Sequence, residues 1–292
     1  MITEITSVSA KYCSLIIKFY SKFGDKNYEW YEKKLKKKIL SGRIIGKICI
    51  DKNNNEIIGA YLGIIQPLLS NSCLKAVQSI DSLVAPQFRG GRVFINLAKE
   101  FYDYLKKNSF DLVFGLPNTR IEKLRYKFLN WNFFSYTYSY NVFIPIIILK
   151  IIYVLISIFY DKDKLSFNFT DNNIIKLKQK IIINQNCIQI VKRKVYWVSS
   201  SNFFFNYIGL CRTGKKLNKF QKLYILSLIA NHSKGVFLRT YSTEKTETAS
   251  IFGPYSIKKR GLSFSGHKLK KNFPDNVNLN SLELVEFDNF GL

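Results

Sequence analysis

The stretch Val84-Ala85-Pro86-Gln87-Phe88-Arg89-Gly90-Gly91-Arg92-Val93-Phe94, VAPQFRGGRVF, decides how the rest of the chain is read. It follows a β-rich apolar run, AVQSIDSL, and leads into INLAKEFYDYLKKN, whose apolar residues recur at helical spacing. A strand therefore gives way to a helix through a turn that holds two glycines between two arginines. The first backbone N–H groups of a helix have no partner within it, and the helix dipole adds partial positive charge there. Glycine lets the backbone approach a ligand closely and adopt φ > 0, while arginine supplies fork-shaped donors for phosphate. The turn is thus chemically suited to a pyrophosphate. It matches neither GxxxxGK[ST] nor GxGxxG, which argues against a nucleotide triphosphatase and against a dinucleotide-binding fold.

Upstream, the first 25 or so residues show helical spacing up to Gly24, and NYEWYEKKLKKKILSG predicts a second helix closed by Gly42. Its lysine run reads as a solvated face. RIIGKICID and EIIGAYLGIIQ are strands joined by KNNN, a hairpin signal. Downstream come a helix from Val93 to about Lys107, a strand DLVFGLP, a helix TRIEKLRYKFLN, and a strand FFSYTYSYNVFI ending at Ile144. Antiparallel strands followed by strand-helix alternation make the first half mixed α/β. Beyond Asp161, CIQIVKRKVYWV, FFNYIGLCRT and GVFLRTYS read as strands and NKFQKLYILSLIANHS as a helix. TASIFGPYSI and GLSFSGHKL suggest further strand. This is a second α/β lobe of similar ingredients, without a glycine-arginine turn of its own.

The chain has 292 residues, 47% of them hydrophobic, with 24 Phe and 18 Tyr, too apolar for a disordered protein. Its formal charge is +25. The first 145 residues hold 22 basic and 11 acidic side chains and the remainder 23 and 9, so the excess forms no stripe. An even spread argues against nucleic acid as the principal partner. Lys, Asn, Ile, Phe and Tyr, which an AT-rich genome favours, account for much of the composition. Five cysteines without a CxxC pair, and two histidines, give neither a zinc site nor a disulfide framework. No metal is expected, and the chain reads as cytoplasmic. The N-terminus, MITEITSVSAKYCSLIIKFYSKF, has an early acid and no sustained apolar core, unlike a signal peptide.

Val142 to Tyr160, VFIPIIILKIIYVLISIFY, is almost wholly apolar and about long enough to span a bilayer. Lys150 in its middle and Pro145 near its start are awkward for a lipid-facing helix. The favoured reading is the end of a strand followed by an apolar linker helix packed between two lobes. Membrane association is the alternative. The expected organisation is a first lobe at 1–145, a connecting segment at 146–160 and a second lobe at 161–292.

The sequence L-V-x-P-x-[YF]-R-G leading into a helix resembles the acetyl-CoA-binding motif of the GCN5-related N-acetyltransferases, the GNAT superfamily. In that family the strand ends with a bulge and an Arg/Gln-x-x-Gly-x-Gly/Ala loop binds the pyrophosphate of coenzyme A. Arg89 matches the first loop position, with Gln87 just before it. The glycine positions fall on Arg92 and Phe94, while Gly91 lies one residue early. Further on, FGLPNTRIEKLRYKFLNWNFF is similar to the family's second half, in which an Asn contacts coenzyme A and a helix carries Tyr-x-x-x-Gly-Phe/Trp. Asn118 matches the Asn, Tyr126 the Tyr and Trp131 the last aromatic. Asn130 replaces the glycine, and Asn is the next best residue where φ > 0 is needed. R-G-x-x-[IV]-F followed by G-[FL]-P-N resembles a subset with a second, degenerate lobe.

The resemblance implies a tandem GNAT fold and acetyl-CoA-dependent transfer of an acetyl group directly to a primary amine, with acetyl-CoA as cosubstrate. The implied cofactor-binding residues are Leu83 and Val84 on the strand, Gln87, Arg89, Gly90, Gly91, Arg92, Val93 and Phe94 in the turn, and Asn118. Asp81 is the implied general base, and Tyr126 the acid that protonates the leaving thiolate. An unperturbed carboxyl pKa near 4 has to rise, or a water relay has to serve, for Asp81 to deprotonate an ammonium efficiently. No cysteine stands near a histidine in a nucleophile pattern, so no acyl-enzyme is expected. The acceptor is expected to be a small-molecule amine or an amino sugar, and the cationic chain favours an anionic one. A non-catalytic GNAT-like protein that binds an acyl-CoA or a membrane surface is the alternative.

Overall fold

Thr3–Ser7 (β1) is a strand antiparallel to Ile44–Asp51 (β2), with Thr3 opposite Asp51 and Ser7 opposite Lys47. This corrects the helical reading of the first residues: TEITS is rich in β-branched side chains, and the helix begins only at Cys13. The computed structural model describes residues 3–65, 68–69, 73–90, 92–159, 196–201, 204–212, 217–233, 235–244, 246–270 and 273. Cys13–Phe23 (α1) and Tyr28–Leu40 (α2) follow, the second capped by the Asn27 side chain, which accepts from the Trp30 N–H at 3.0 Å. Gly42 ends α2 at φ +69°, the left-handed position that the sequence reserves for it. Glu56–Ile65 (β3) pairs antiparallel with β2 across the expected hairpin. Leu68–Leu69 (β4) and Cys73–Leu74 (β5) pair with each other.

Ala76–Val84 (β6) then enters the main sheet, the chain climbs Val93–Lys107 (α3), and Leu112–Gly115 (β7) returns parallel to β6. Thr119–Phe128 (α4) and Asn132–Val142 (β8) follow. α1 and α2 cover one face of the sheet, where Ile16, Ile17, Leu35, Ile48 and Leu62 are buried. α3 covers the other with Leu97, Phe101 and Leu105, fully buried at i, i+4 and i+8. Gly63 makes the close approach of α3 feasible: a Cβ there would lie 2.9 Å from the Phe101 ring and 2.4 Å from Val77 Cγ1.

The remaining elements are Ile146–Phe159 (α5), Tyr196–Ser201 (β9), Phe205–Arg212 (β10), Lys219–Asn231 (α6), Phe237–Thr243 (β11), Glu247–Phe252 (α7) and Ser256–Lys268 (β12). The chain divides into two compact units, one of Met1–Pro67, Leu74–Phe133 and Phe264–Pro274, the other of Leu68–Cys73, Phe134–Ser263 and Asp275–Leu292. In the first, the strand order is β1-β2-β3-β6-β7, completed by the C-terminal end of β12, whose Ser265 pairs antiparallel with Gly115. In the second it runs from the start of β12 through β8, β11 and β10 to β9. β8, read as the closing strand of the first lobe, instead pairs with β11, Thr137 opposite Thr243 and Asn141 opposite Arg239. The edge of β7 that it would have occupied is taken by β12.

In the second unit β10 and β11 are parallel and joined through α6, whose Tyr224 to Ala230 are all buried. Asn218 and Gln221 close a reciprocal cap at its start. TASIFGPYSI is not a strand: Thr246 caps α7 by accepting from the Ala249 N–H at 3.0 Å, and a turn at Gly253–Tyr255 leads into β12. α5 begins one residue after Pro145, which suits a helix start, and buries Ile146, Leu149 and Ile156 against the core around α6. Ile147, Ile151, Val154, Ile158 and Phe159 on its other side are exposed. Among the described residues no helix is long and apolar enough to cross a membrane. CIQIVKRKVYWV lies outside the described residues up to position 195.

Candidate active site

Opposite β3, the strand β6 carries one residue too many. Ala60 faces Leu83 and Leu62 faces Ile80, so Tyr61 alone stands against both Asp81 and Ser82. This is a β-bulge, and Asp81 adopts φ +38° within it. Such a backbone is costly for most side chains but within reach of Asp and Asn. Asp81 meets groups of α1 and α2: the buried Tyr20 hydroxyl donates to its carbonyl, and Lys34 Nζ lies 2.6 Å from its Oδ2. The latter is an ion pair without hydrogen-bond alignment. The same ammonium sits 4.6 Å from the centre of the Trp30 ring. Burial pushes the Tyr20 phenol well above its ordinary pKa, with the Asp81 charge adding to the effect. Beside it Tyr31 donates to Asp25 and is pushed up to about 12, by burial first and by that carboxylate next.

β6 and β7 are paired only from Ala76–Leu112 to Gln78–Phe114. Among the described residues, Ser79 to Val84 of β6 pair with β3 alone, so the two parallel strands part and leave an edge of β6 open. Leu83 and Val84 lie on this edge, at its C-terminal end. A turn at Pro86–Phe88 leads from Val84 to the glycine-arginine stretch. Arg89 folds back, its Nε donating to the Val84 carbonyl at 2.9 Å. Gly90 has φ +83°, a backbone that favours glycine, and open space where a Cβ would stand. Gly91 lies outside the described residues. Arg92 occupies the N-cap of α3 without a side-chain cap, and the helix ladder starts only with the Asn96 N–H donating to the Arg92 carbonyl. The N–H groups of Val93, Phe94 and Ile95 thus point out of the helix start. Phe94 does not crowd the turn, because its ring packs on Tyr61 at 5.6 Å. Arg92, Arg89 and Gln87 are exposed.

Asn118 is the N-cap of α4, its Oδ1 accepting from the Ile121 N–H at 3.0 Å. Eight residues on, the Tyr126 hydroxyl donates to Glu122 Oε1 at 2.7 Å. The helix ends at Leu129, and Asn130 follows at φ +51°, where the family-like pattern has glycine. Trp131 is buried and donates through Nε1 to the Tyr102 hydroxyl at 2.7 Å. Tyr126 packs with the α3-side core, whereas Asp81 faces the α1-α2 side. The two residues read as base and acid therefore lie on opposite faces of the same sheet, flanking the parted strands.

Three participants escaped the sequence reading. Lys34 is one of five lysines in the run that reads as a solvated face, yet it shares a helical phase with Tyr31 and Leu35, which turns it inward. The i, i+4 spacing of Glu122 and Tyr126 was equally visible. Arg125, buried between Ser79 and Trp131, had no signal.

No protein-family model and no curated protein matches the sequence. Solved structures do match. A GCN5-related N-acetyltransferase from Kribbella flavida aligns over 99% of this chain and 86% of its own, with a TM-score of 0.61 at 10% identity. A probable N-acyltransferase from Enterococcus faecalis V583 aligns over 92% of this chain and 73% of its own, at 0.57 and 9% identity. A GCN5-related N-acetyltransferase from Anabaena variabilis ATCC 29413 covers the same shares, at 0.54 and 13% identity. At such identities the likeness is one of backbone architecture, and it extends through both units. The bulged and parted β6, the turn into α3 and the return through β7 and α4 belong to a chain that has the fold of the GCN5-related N-acetyltransferases.

Proposed function

We propose that the protein is an acyl-CoA-dependent N-acyltransferase that passes an acyl group, acetyl in its simplest form, directly to a primary amine of a small-molecule acceptor in the cytoplasm. The observation that carries this reading is the open, bulged edge of β6 leading straight into the Gly90 turn at the start of α3. In this reading the outward N–H groups of the first turn of α3, with Gly90, Gly91 and the guanidinium groups of Arg89 and Arg92, hold the diphosphate. Arg89 has to leave the Val84 carbonyl to do so, which exposes a backbone acceptor for the pantetheine arm. The edge around Leu83 and Val84 holds that arm, and an N–H at the bulge faces the thioester oxygen as negative charge develops there. The amine nitrogen bonds to the acyl carbon, and the carbon–sulfur bond breaks. Asp81 accepts the proton released by the amine, and Tyr126 gives its own to the thiolate. Tyr126 must then turn from Glu122, which recovers the hydroxyl afterwards. Asn118 keeps Oδ1 on the cap of α4, so its contact with the donor is through the amide N–H groups. Two described cysteines, Cys13 and Cys49, are free thiols, in keeping with a reducing compartment.

Calorimetry with acetyl-CoA tests the assignment. Micromolar binding is expected for the wild type, weakened roughly tenfold or more in Arg89→Ala, where a charge-assisted contact worth about 1.5–3 kcal/mol is lost. Gly90→Asp should weaken it further through strain at positive φ and repulsion of phosphate. Absence of binding by the folded wild type sinks the donor assignment. Binding without turnover of any amine supports the non-catalytic alternative.

A further inference from the structure

We infer that the point where β6 and β7 part is a carboxylate site centred on Arg125, and that the acyl donor is the coenzyme A thioester of a dicarboxylic acid. This rests on the acyl-transfer reading and names its donor class. Arg125 is 5% exposed, although a guanidinium is a cation with five N–H donors and no acceptor. One terminal nitrogen donates to Ser79 Oγ at 2.7 Å, and the group lies 4.2 Å from the centre of the Trp131 ring and 5.8 Å from that of Tyr61. Its Nε is buried without a hydrogen-bond partner, and among the described residues no carboxylate pairs with it. The quadrupoles of the two rings attract the cation and offset part of its desolvation, but they supply no counter-charge. A buried charge without a counter-ion is expensive, and a neutral residue of similar length would fill the space at lower cost. The balance changes when a ligand brings the anion.

The position of the guanidinium fits that ligand. Ser79 is the first β6 residue beyond the last pair with β7, and Gly115 is the last residue of β7. A Cβ on Gly115 would stand 3.0 Å from Arg125 Nη1, so glycine there keeps room for the group. From the turn that follows Val84, the open edge runs back through Leu83 and the bulge to Ser79, about 15 Å at the usual rise per strand residue. A donor whose diphosphate sits at the turn and whose arm lies along this edge directs the far end of its acyl chain at Ser79 and Arg125. A methyl group offers the guanidinium nothing. A terminal carboxylate matches its fork geometry. In the transfer, the amine nitrogen bonds to the acyl carbon and the carbon–sulfur bond breaks, while the distal carboxylate stays intact on the product.

The test measures binding of CoA, acetyl-CoA, malonyl-CoA and succinyl-CoA by calorimetry. For the wild type we expect malonyl-CoA or succinyl-CoA to bind about tenfold or more tightly than acetyl-CoA, the scale of one charge-assisted contact. In Arg125→Gln that ratio should fall to about one, and in Arg125→Lys, which keeps the charge but not the fork, it should be intermediate. If CoA binds and the wild type takes both dicarboxylic thioesters no more tightly than acetyl-CoA, the carboxylate site is overturned and the acyl-transfer reading stands. If none of the four binds, both fall. The wild-type ratio decides even if Arg125→Gln does not fold.

Discussion

Asp81 carries both a backbone constraint and the proposed chemistry, so the choice of substitution matters. Asp81→Asn tolerates the φ of +38° that the bulge imposes, whereas alanine would add strain to the loss of the carboxylate. In Asp81→Asn we expect kcat to fall by roughly two orders of magnitude, the usual share of a general base, with the melting temperature nearly unchanged. Tyr126→Phe should cost a similar factor in kcat at an unaltered donor Kd. Unchanged turnover in either removes that residue from the mechanism. Legibility at this scale was uneven for physical reasons. The Tyr-x-x-x-Asn-Trp spacing announced the left-handed Asn130, because few residues serve at that backbone angle. The pairing of Asp81 with Lys34 depends on a sheet face meeting a helix some 47 positions away in sequence, which no local pattern records. Arg125 shares α4 with Arg120, Lys123 and Lys127, and only tertiary packing singles it out.

At the scale of elements, α4 carries more of the proposed site than any other helix, since Asn118, Tyr126 and Arg125 all ride on it. Its ten residues are few for a helix to persist without its cap. Asn118→Ala should therefore cost about 1 kcal/mol, together with faster amide exchange through α4, whereas Asn118→Asp, which still caps, should not. Equal exchange in both variants would separate Asn118 from the stability of the helix. Elements with strong local signals were read correctly: the hairpin of β2 and β3, the amphipathic α3, and the turn between β6 and α3. Errors arose where local and distant terms compete. β1 is five residues long and is held by pairing with β2, so its strand character is settled by a partner some 40 residues on. TASIF is β-prone by composition, yet the Thr246 cap makes it a helix.

For the whole molecule, a charge of +25 should accelerate encounter with a polyanionic thioester. The association rate measured by stopped flow should fall on the order of tenfold as ionic strength rises from about 10 mM, where the Debye length is near 30 Å, to several hundred millimolar. A flat profile would mean that the excess is compositional and does not steer the donor. Partition into lobes was the least legible property, because it depends on which strand fills which edge. Hydropathy along β8 and β12 gives no indication that the later strand borders β7. That arrangement has a consequence for synthesis. While the chain is emerging from the ribosome, the β7 edge stays unmatched until Ser265 to Lys268 appear, roughly 150 residues later. At about 5–20 residues per second this is a wait of roughly 8–30 s, during which a bare strand edge is available to other nascent chains. The proposed catalytic half is thus the first to be translated and among the last to be sealed.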